Sequence, residues 1–583
     1  MNQADSGNST TRRAADLVLT GFDDYNASFS DLSRRGKRRF EAGDRVGMRA
    51  DVVARMELYD AGVNEVIGRL EELLANRLFS RSVWKEIRKC CARDIRGRLD
   101  AELYKTFFNT ISRRLFKTRG VDPAIEFVAL DIQPTDRITH PVSRHTYAVG
   151  THLAETFSRI LGDYEFSIPY ADIEEDGKSL AERLRSEFLA AGEAAVTSIE
   201  LLETVFYREG RAYLVGRAFG RERYLPCVIA LVQEDNMVRV DALLARRLQL
   251  SILFGYTFSY FLADLPTVGD AVVFLRTLLP DKPIDELYTV LGRAKQGKTE
   301  RYRAFVRELL ARPEETMVEA DGQRGMVMAV FTLPSYPLVF KLLRDRFAPV
   351  KTIRRHQVIE RYHLVQRHDR IGRLLDVQEF KDLRFPKDQF SPELLDELMA
   401  ECRRIVRLED DTVVIRHSFV ERRVRPLDLY LKEVDEPSAH HAVMDMGQAL
   451  KDLARSNIFA GDLLPKNFGV TRSGRVVFYD YDELTLLTEC NFRHMPKATN
   501  DFDLYSDETW FHVGDNDVFP EEFPRFLAMK RELVDVLRDA HGELFDAEWW
   551  LEVQARIRSG EALDVPPYTD EARLRPWSCS EVS

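Results

Sequence analysis

The sequence predicts an α+β protein of at least two domains: a helix-rich first half enclosing a small antiparallel meander, then a second half in which strands come before helices. Three observations carry this. The chain has 583 residues, too many for one core, since single hydrophobic cores stop growing beyond about 250–300 residues. Apolar residues recur at three- to four-residue spacing through much of the first half, the mark of helices buried on one face. That spacing gives way twice to short β-rich runs, over 203–241 and again after Arg312-Pro313, with turn residues between them. The division expected is 1–314 and 315–583.

In order along the chain, residues 1 to about 12 are polar and expected to be loose. Val52, Val53, Met56 and Leu58, then Val63, Ile67, Leu70, Leu73 and Leu74, predict a long helix. Val205–Tyr207, Ala212–Val215, Cys227–Val232 and Met237–Val240 read as strands, with Gly210, Gly220 and Asp235-Asn236 as turns. Helix is expected again over Leu243–Ala263 and where Tyr302, Phe305, Val306 and Leu309 share a face. In the second half, Met326–Phe331 and Leu338–Phe340 read as strands of a hairpin. Val358, Tyr362 and Val365 mark the next helix, Val413–Ile415 and Phe419-Val420 further strands, and Pro426–Leu431 a helix start. Val476–Tyr479 is a strand, and Phe526, Met529, Leu533 and Leu537 are expected on one helix face.

Composition narrows the function classes. Apolar residues at 45% and charged residues at 31% describe an ordinary globular chain. The net charge of −11, from 84 basic and 95 acidic residues, gives no general attraction to nucleic acid or anionic lipid. No run approaches the roughly 18 apolar residues of a membrane span, and the N-terminus lacks an apolar signal core; a cytoplasmic location is expected. The six cysteines form no C-x-x-C pair. Cys90 and Arg96 match C-x5-R, but Cys-Ala-Arg-Asp-Ile between them reads as helix, which cannot wrap amides round a phosphate.

Four segments of the second half carry the chemistry of phosphoryl transfer, which needs phosphates held, metal placed and the nucleophile oriented. Asp321-Gly322-Gln323-Arg324-Gly325-Met326 precedes a strand, and its glycines let backbone N–H groups approach phosphate oxygens. It is neither a Walker A loop nor a full G-x-G-x-x-G. Lys341 ends the next strand, where a lysine can reach α/β-phosphates; Glu360 and Glu379 are both candidates for its acidic partner. Asp462 and Asn467 have D-x-x-x-x-N spacing, with the aspartate as acceptor of a hydroxyl proton and the asparagine as Mg²⁺ ligand. Lys466 between them can neutralise the moving phosphoryl group. Asp480, after the Val476–Tyr479 strand, completes a hard-oxygen metal site. Gly461 stands where an arginine precedes the catalytic aspartate in common kinases, Asp482 replaces the glycine of D-F-G, and no A-P-E follows. The reading is a divergent, bilobal protein-kinase-like domain.

Longer segments carry a resemblance: Ala212–Gly216, Gly325–Pro334, Val339–Lys341, Asp345–Pro349, His368–Arg373, Lys466–Glu483 and Asp517–Phe523. End to end, the chain resembles the bacterial isocitrate dehydrogenase kinase/phosphatase family. The resemblance implies an α-rich regulatory domain before the kinase-like domain. It also implies an enzyme that phosphorylates a serine of NADP-dependent isocitrate dehydrogenase with ATP and removes that phosphate, diverting isocitrate into the glyoxylate bypass. Carried over residue by residue, it places the ATP-binding segment on Ala320, Asp321, Gly322, Gln323, Arg324, Gly325 and Met326, with Lys341. Asp462 becomes the kinase aspartate, Asn467 and Asp480 the Mg²⁺ ligands, and Asp376 the aspartate of phosphatase action. AMP as allosteric effector and a homodimer are implied as well.

No second hydrolase constellation is legible, so a phosphatase would reuse the kinase cleft. Two other readings stand beside this one: a small-molecule kinase of the aminoglycoside type, and a catalytically inactive kinase-like binding module. The long N-terminal half and the polar stretch from Asn491 to Asp517, suited to a protein substrate, argue against the first. The intact Lys341, Asp462, Asn467 and Asp480 argue against the second.

Overall fold

The computed structural model describes residues 3–118, 120–128, 142–255, 260–349, 353–368, 372–496, 512–514 and 516–575. The chain divides into two compact units, Met1–Arg312 with Pro567–Ser583, and Pro313–Pro566.

The first unit opens with α1 (Gln3–Glu41), so helix starts where the polar composition suggested loose chain. It continues through α2 (Arg45–Leu74), α3 (Arg81–Asp94) and α4 (Ala101–Phe116). Asp44 caps α2, its carboxylate accepting from Gly47 N at 2.7 Å, which satisfies one of the orphan amides of a helix start. The buried stripe of α2 is Asp51, Arg55, Tyr59, Val63, Val66, Leu70 and Leu74, whereas Val52, Val53 and Met56 are only half-buried. Buried charge is tolerated there because it is partnered: Asp51 meets Arg35 at 3.1 Å and Arg39 at 2.8 Å, and Arg55 donates to Phe261 O at 2.7 Å. Cys90 lies buried inside α3, in helix and not in a phosphate loop.

Next come β1 (Arg144–Ala148), α5 (Leu153–Asp163), α6 (Ile173–Ala190) and then β2 (Ser198–Leu202), β3 (Phe206–Arg208), β4 (Arg211–Phe219), β5 (Tyr224–Glu234) and β6 (Met237–Leu244). They form one antiparallel sheet in the order β1-β2-β4-β5-β6, with β3 on β4, larger than the meander the sequence suggested. Glu209-Gly210 and Asp235-Asn236 hold positive φ at both positions, the requirement of two-residue hairpins. Tyr213, Val215, Val228 and Ala230 enter one core, and Ala212, Leu214, Ile229 and Leu231 the other. Apolar packing on both faces explains why these strands read as continuous apolar runs. Among the described residues of the helix expected over Leu243–Ala263, only α7 (Arg247–Leu253) forms. Leu243 and Leu244 finish β6, Leu262 bridges to Tyr207 in extended backbone, and 256–259 lie outside the described residues. The unit continues with α8 (Val268–Leu278), α9 (Ile284–Val290) and α10 (Ala294–Ala311).

The second unit begins with β7 (Val318–Glu319), β8 (Met328–Thr332), β9 (Leu338–Leu343), α11 (Arg355–His368), β10 (Val377–Pro386), α12 (Pro392–Glu401), β11 (Val406–Glu409) and β12 (Thr412–Arg422). The strands make an antiparallel sheet in the order β10-β12-β9-β8-β7, with β11 on β12. Phe331 and Phe340 stack on one face at 5.0 Å. On the other, Tyr362 of α11 stacks on Phe419 at 4.2 Å. A second lobe follows: β13 (Arg425–Pro426), α13 (Leu427–Glu433), α14 (Glu436–Arg455), β14 (Ile458–Phe459), β15 (Phe468–Val470) and β16 (Val476–Phe478), with β13, β15 and β16 paired. The helix expected through Phe526 and Leu537 is broken into Phe523–Phe526 and Arg531–His541. Ala528 sits between them in left-handed backbone, leaving Phe526 exposed while Leu533 and Leu537 are buried.

The segment from Pro567 leaves this unit and belongs to the first, although the sequence division placed it with the second half. Leu574 N donates to Asp241 O at 2.9 Å, and Arg573 pairs with the Asp241 carboxylate at 2.8 Å. An edge strand supplies free backbone partners to any returning segment, information that a periodicity reading does not contain.

Candidate active site

The face of the β10-β12-β9-β8-β7 sheet that carries Lys341 looks into the site. Lys341 stands mid-strand in β9, opposite Val330 and Phe419, not at the strand's end as its sequence position suggested. Its Nζ lies 2.8 Å from Glu421 Oε2 and donates to Tyr479 O at 2.7 Å. The rings of Tyr479 and Tyr481 flank the ammonium at 5.1 and 5.7 Å. Neither sequence candidate is its partner: Glu360 is exposed, and Glu379 is engaged by His417 at 2.9 Å and Lys381 at 3.1 Å.

Above this face, Gly322 adopts φ +123°, a conformation open to glycine alone without strain. Arg324 is drawn to α12, 3.0 Å from Glu397 and 2.7 Å from Glu401. Arg344 fastens the same loop by donating to Gly325 O at 2.9 Å. Asp321 pairs with Arg425 at 2.8 Å.

Gly461, the departure from the common kinase motif, has a structural cause. Its φ is +77°, and a Cβ there would collide with the backbone carbonyl of Glu483, so no arginine fits. Asp462 follows, its Oδ1 accepting from Leu464 N at 3.0 Å. The tight turn Pro465–Asn467 brings Asn467 back, and its Nδ2 donates to Asp462 O at 3.2 Å. That bond fixes the amide, leaving Oδ1 as the atom suited to a cation. Register does the rest: Phe468 pairs with Phe478, and Tyr479 N donates to Asn467 O at 3.1 Å, so Asp480 leaves β16 beside Asn467. Burial, with Asp480 adding to it, pushes the Tyr479 phenol up, so it stays neutral and donates to Lys466 O.

Asp376 arrives by a separate route. Phe478 N donates to Arg373 O at 2.7 Å and Leu375 N to Phe478 O at 3.2 Å, in parallel pairing with β16. Arg373 anchors this edge: its buried guanidinium binds Asp445 twice at 2.8 Å, Asp452 at 2.8 Å and Val476 O at 3.0 Å. Burial works against that charge, but Asp445 and Asp452 outweigh it and hold the arginine protonated.

These elements enclose a cavity of about 670 Å³, within the usual size of a small-molecule site. Ala320, Asp321, Gly322, Gln323, Arg324, Gly325, Met326, Lys341, Asp462, Lys466, Asn467 and Asp480 all line it. Asp376 does not: it is buried next to the cavity, and its neighbour Leu375 forms the wall. Cationic side chains beside backbone amides suit a polyphosphate, and the Asn467 and Asp480 oxygens are the hard donors that Mg²⁺ prefers. Glu421, Tyr362 and Asp482 also line the cavity; in the sequence Tyr362 marks only a helix face, Asp482 only a departure from D-F-G, and Glu421 is not singled out. Glu421 left one signal: an acid at the end of the apolar pair Phe419-Val420 has to be partnered if that strand is internal. The 491–517 stretch lies partly outside the described residues, at 497–511 and 515, as do 369–371 of the His368–Arg373 motif.

Comparison with known proteins settles the family. Residues 15–312 match the isocitrate dehydrogenase kinase/phosphatase (AceK) regulatory domain, and residues 315–570 match the kinase domain of the same family. The chain belongs to the isocitrate dehydrogenase kinase/phosphatase family. Relatives of that name include one from Xanthomonas campestris pv. campestris (strain 8004), 53% identical over 98% of this chain and 100% of its own length. Another, from Anaeromyxobacter sp. (strain Fw109-5), is 42% identical over 97% of this chain and 98% of its own. Among solved structures, the ROP18 kinase domain in complex with AMP-PNP and sucrose aligns over 42% of this chain and 82% of its own, at 12% identity and a TM-score of 0.22. The fold is thus the family's, a helical regulatory domain and a kinase-like domain. Among the described residues no helix is long and apolar enough to cross a membrane.

Proposed function

We propose that this chain phosphorylates a serine of NADP-dependent isocitrate dehydrogenase with ATP, and removes that phosphate in the same cavity. The observation that carries the reading is the convergence of Lys341, Asp462, Lys466, Asn467 and Asp480 on one cavity, in a chain matching the family over both domains. Lys341 steadies the α/β-phosphates. Asp462 orients the serine hydroxyl and accepts its proton as the oxygen attacks the γ-phosphorus. Lys466 offsets charge on the phosphoryl group in flight. Asn467 Oδ1 and Asp480 would hold Mg²⁺, which when bound screens the phosphate charge. Asp376, buried beside the same strand, is assigned to dephosphorylation on family resemblance. AMP as effector, a dimer and a cytoplasmic location rest on resemblance and composition alone.

Radiolabelled ATP supplied with purified isocitrate dehydrogenase, and separately with small alcohols and aminoglycosides, tests the substrate. Label is expected in the dehydrogenase only. Asp480→Ala tests the shared cavity: both phosphorylation and phosphate release from the phosphorylated dehydrogenase should fall by at least about 100-fold, on the scale of a lost electrostatic clamp. Running the release with and without ADP separates transfer to ADP from transfer to water. Full phosphatase activity in Asp480→Ala would place hydrolysis elsewhere.

A further inference from the structure

Kinases commonly pair the nucleotide lysine with a glutamate on the helix after it, and moving that helix switches the enzyme. In this chain the helix in that position is α11, and its glutamate, Glu360, faces solvent. The carboxylate at Lys341 comes instead from the sheet. In the β9–β12 register Lys341 lies opposite Phe419 and Val339 opposite Glu421. Alternation therefore puts Lys341 and Glu421 on one face as diagonal neighbours, within reach of long side chains. Glu421 is fully buried, Lys341 nearly so, and their charges meet at 2.8 Å. What α11 brings to the same place is aromatic: Tyr362, stacked on Phe419 and 5.9 Å from the Lys341 ammonium.

We infer that Glu421 is the positioning residue for Lys341, and that the pair is assembled within the sheet instead of being delivered by α11. Two adjacent strands of one ladder cannot separate without breaking backbone hydrogen bonds, so the lysine is set whenever the domain is folded. Rotation of α11 would move the Tyr362 ring beside the pair but would not withdraw its carboxylate. The inference rests on the phosphoryl-transfer reading of the cavity.

The test is a double-mutant cycle of Lys341→Met and Glu421→Gln, with Glu421→Asp and Glu360→Gln alongside. Nucleotide affinity is read by displacement of a fluorescent ATP analogue, turnover by phosphate transfer, and folding by thermal melts. Glu421→Gln is expected to lower kcat/KM for ATP about tenfold or more while leaving KM for the protein substrate unchanged. Glu421→Asp, which keeps the charge, should recover part of that loss, and Glu360→Gln should match wild type. In the Lys341→Met background Glu421→Gln should cost nothing further, because contacting residues that act as one unit are not additive. That double variant should also melt above Lys341→Met alone, since it no longer buries a carboxylate that has lost its lysine. Wild-type ATP handling by Glu421→Gln, additive losses in the cycle, or an equal loss in Glu360→Gln would each overturn the inference. Should Glu421→Gln not fold, Glu421→Asp and the double variant decide. A wild-type protein that binds ATP but leaves isocitrate dehydrogenase unlabelled would overturn the proposed substrate, while the binding cycle still tests Glu421.

Discussion

Replacing Asp462 by asparagine separates its chemistry from its place in the loop. The aspartate Oδ1 accepts from Leu464 N at 3.0 Å, and its backbone carbonyl accepts from Asn467 Nδ2 at 3.2 Å. Asparagine keeps an oxygen for Leu464 and the same carbonyl for Asn467, but it is no base at neutral pH. The loop should therefore stay as it is, with a melting temperature within a few degrees of wild type. Loss of a general base costs about 10²–10⁴-fold, or about 3–5 kcal/mol of transition-state stabilisation at 1.36 kcal/mol per decade. Asp462→Ala should lose the same factor and, in addition, about 1 kcal/mol of stability from the vacated Leu464 N–H. Single-turnover phosphorylation of isocitrate dehydrogenase, with enzyme in excess over radiolabelled ATP, measures the chemical step apart from product release. A rate within threefold of wild type for Asp462→Asn would remove Asp462 as the base, and a large difference between the two variants would show that its role is to hold the loop.

Asp376→Ala is expected to slow dephosphorylation at least tenfold more than phosphorylation, measured on the same preparations; equal losses in both would make Asp376 a structural group of the Arg373–Asp376 edge. In the first unit, burial pushes the Glu300 carboxyl from 4.5 up to about 7, against the opposing pull of Arg303. A carboxyl raised in the folded state contributes stability that is whole below its ordinary pKa and is lost as pH climbs through 7. The loss is up to about 3 kcal/mol. Glu300→Gln keeps an acceptor for Gln296 and Arg303, so its melting temperature should match wild type near pH 4.5 and exceed it at pH 8. A difference that does not change with pH would refute the shifted titration.

The order of chemical groups along the second half was written in the sequence, because the spacing of Asp462, Asn467 and Asp480 reflects a local hairpin. A turn places Asn467 over Asp462, and a short ladder from Phe468 to Phe478 returns the chain to Asp480. Such contacts depend on a few neighbouring residues, and periodicity and turn chemistry report them. The hairpins of the first-half sheet were legible for the same reason, at Glu209-Gly210 and Asp235-Asn236. Other features were decided only when distant segments met. Glu421 is separated from Lys341 in the chain by α11, β10, α12 and β11, and only the β9–β12 register puts them on one face. Asp376 reads as an ordinary helix-end acid, a cap or solvated, until Arg373 is pinned by Asp445 and Asp452 of α14. Gly461 reads as a departure from a motif until the Glu483 carbonyl is seen to occupy the space of its missing side chain. The chain after Pro567 returns to Asp241 for hydrogen bonds that any exposed strand edge offers. Local steric and hydrogen-bonding rules are carried by a short stretch of residues, whereas pairing across hundreds of residues depends on which buried charges and strand edges find each other in the folded core.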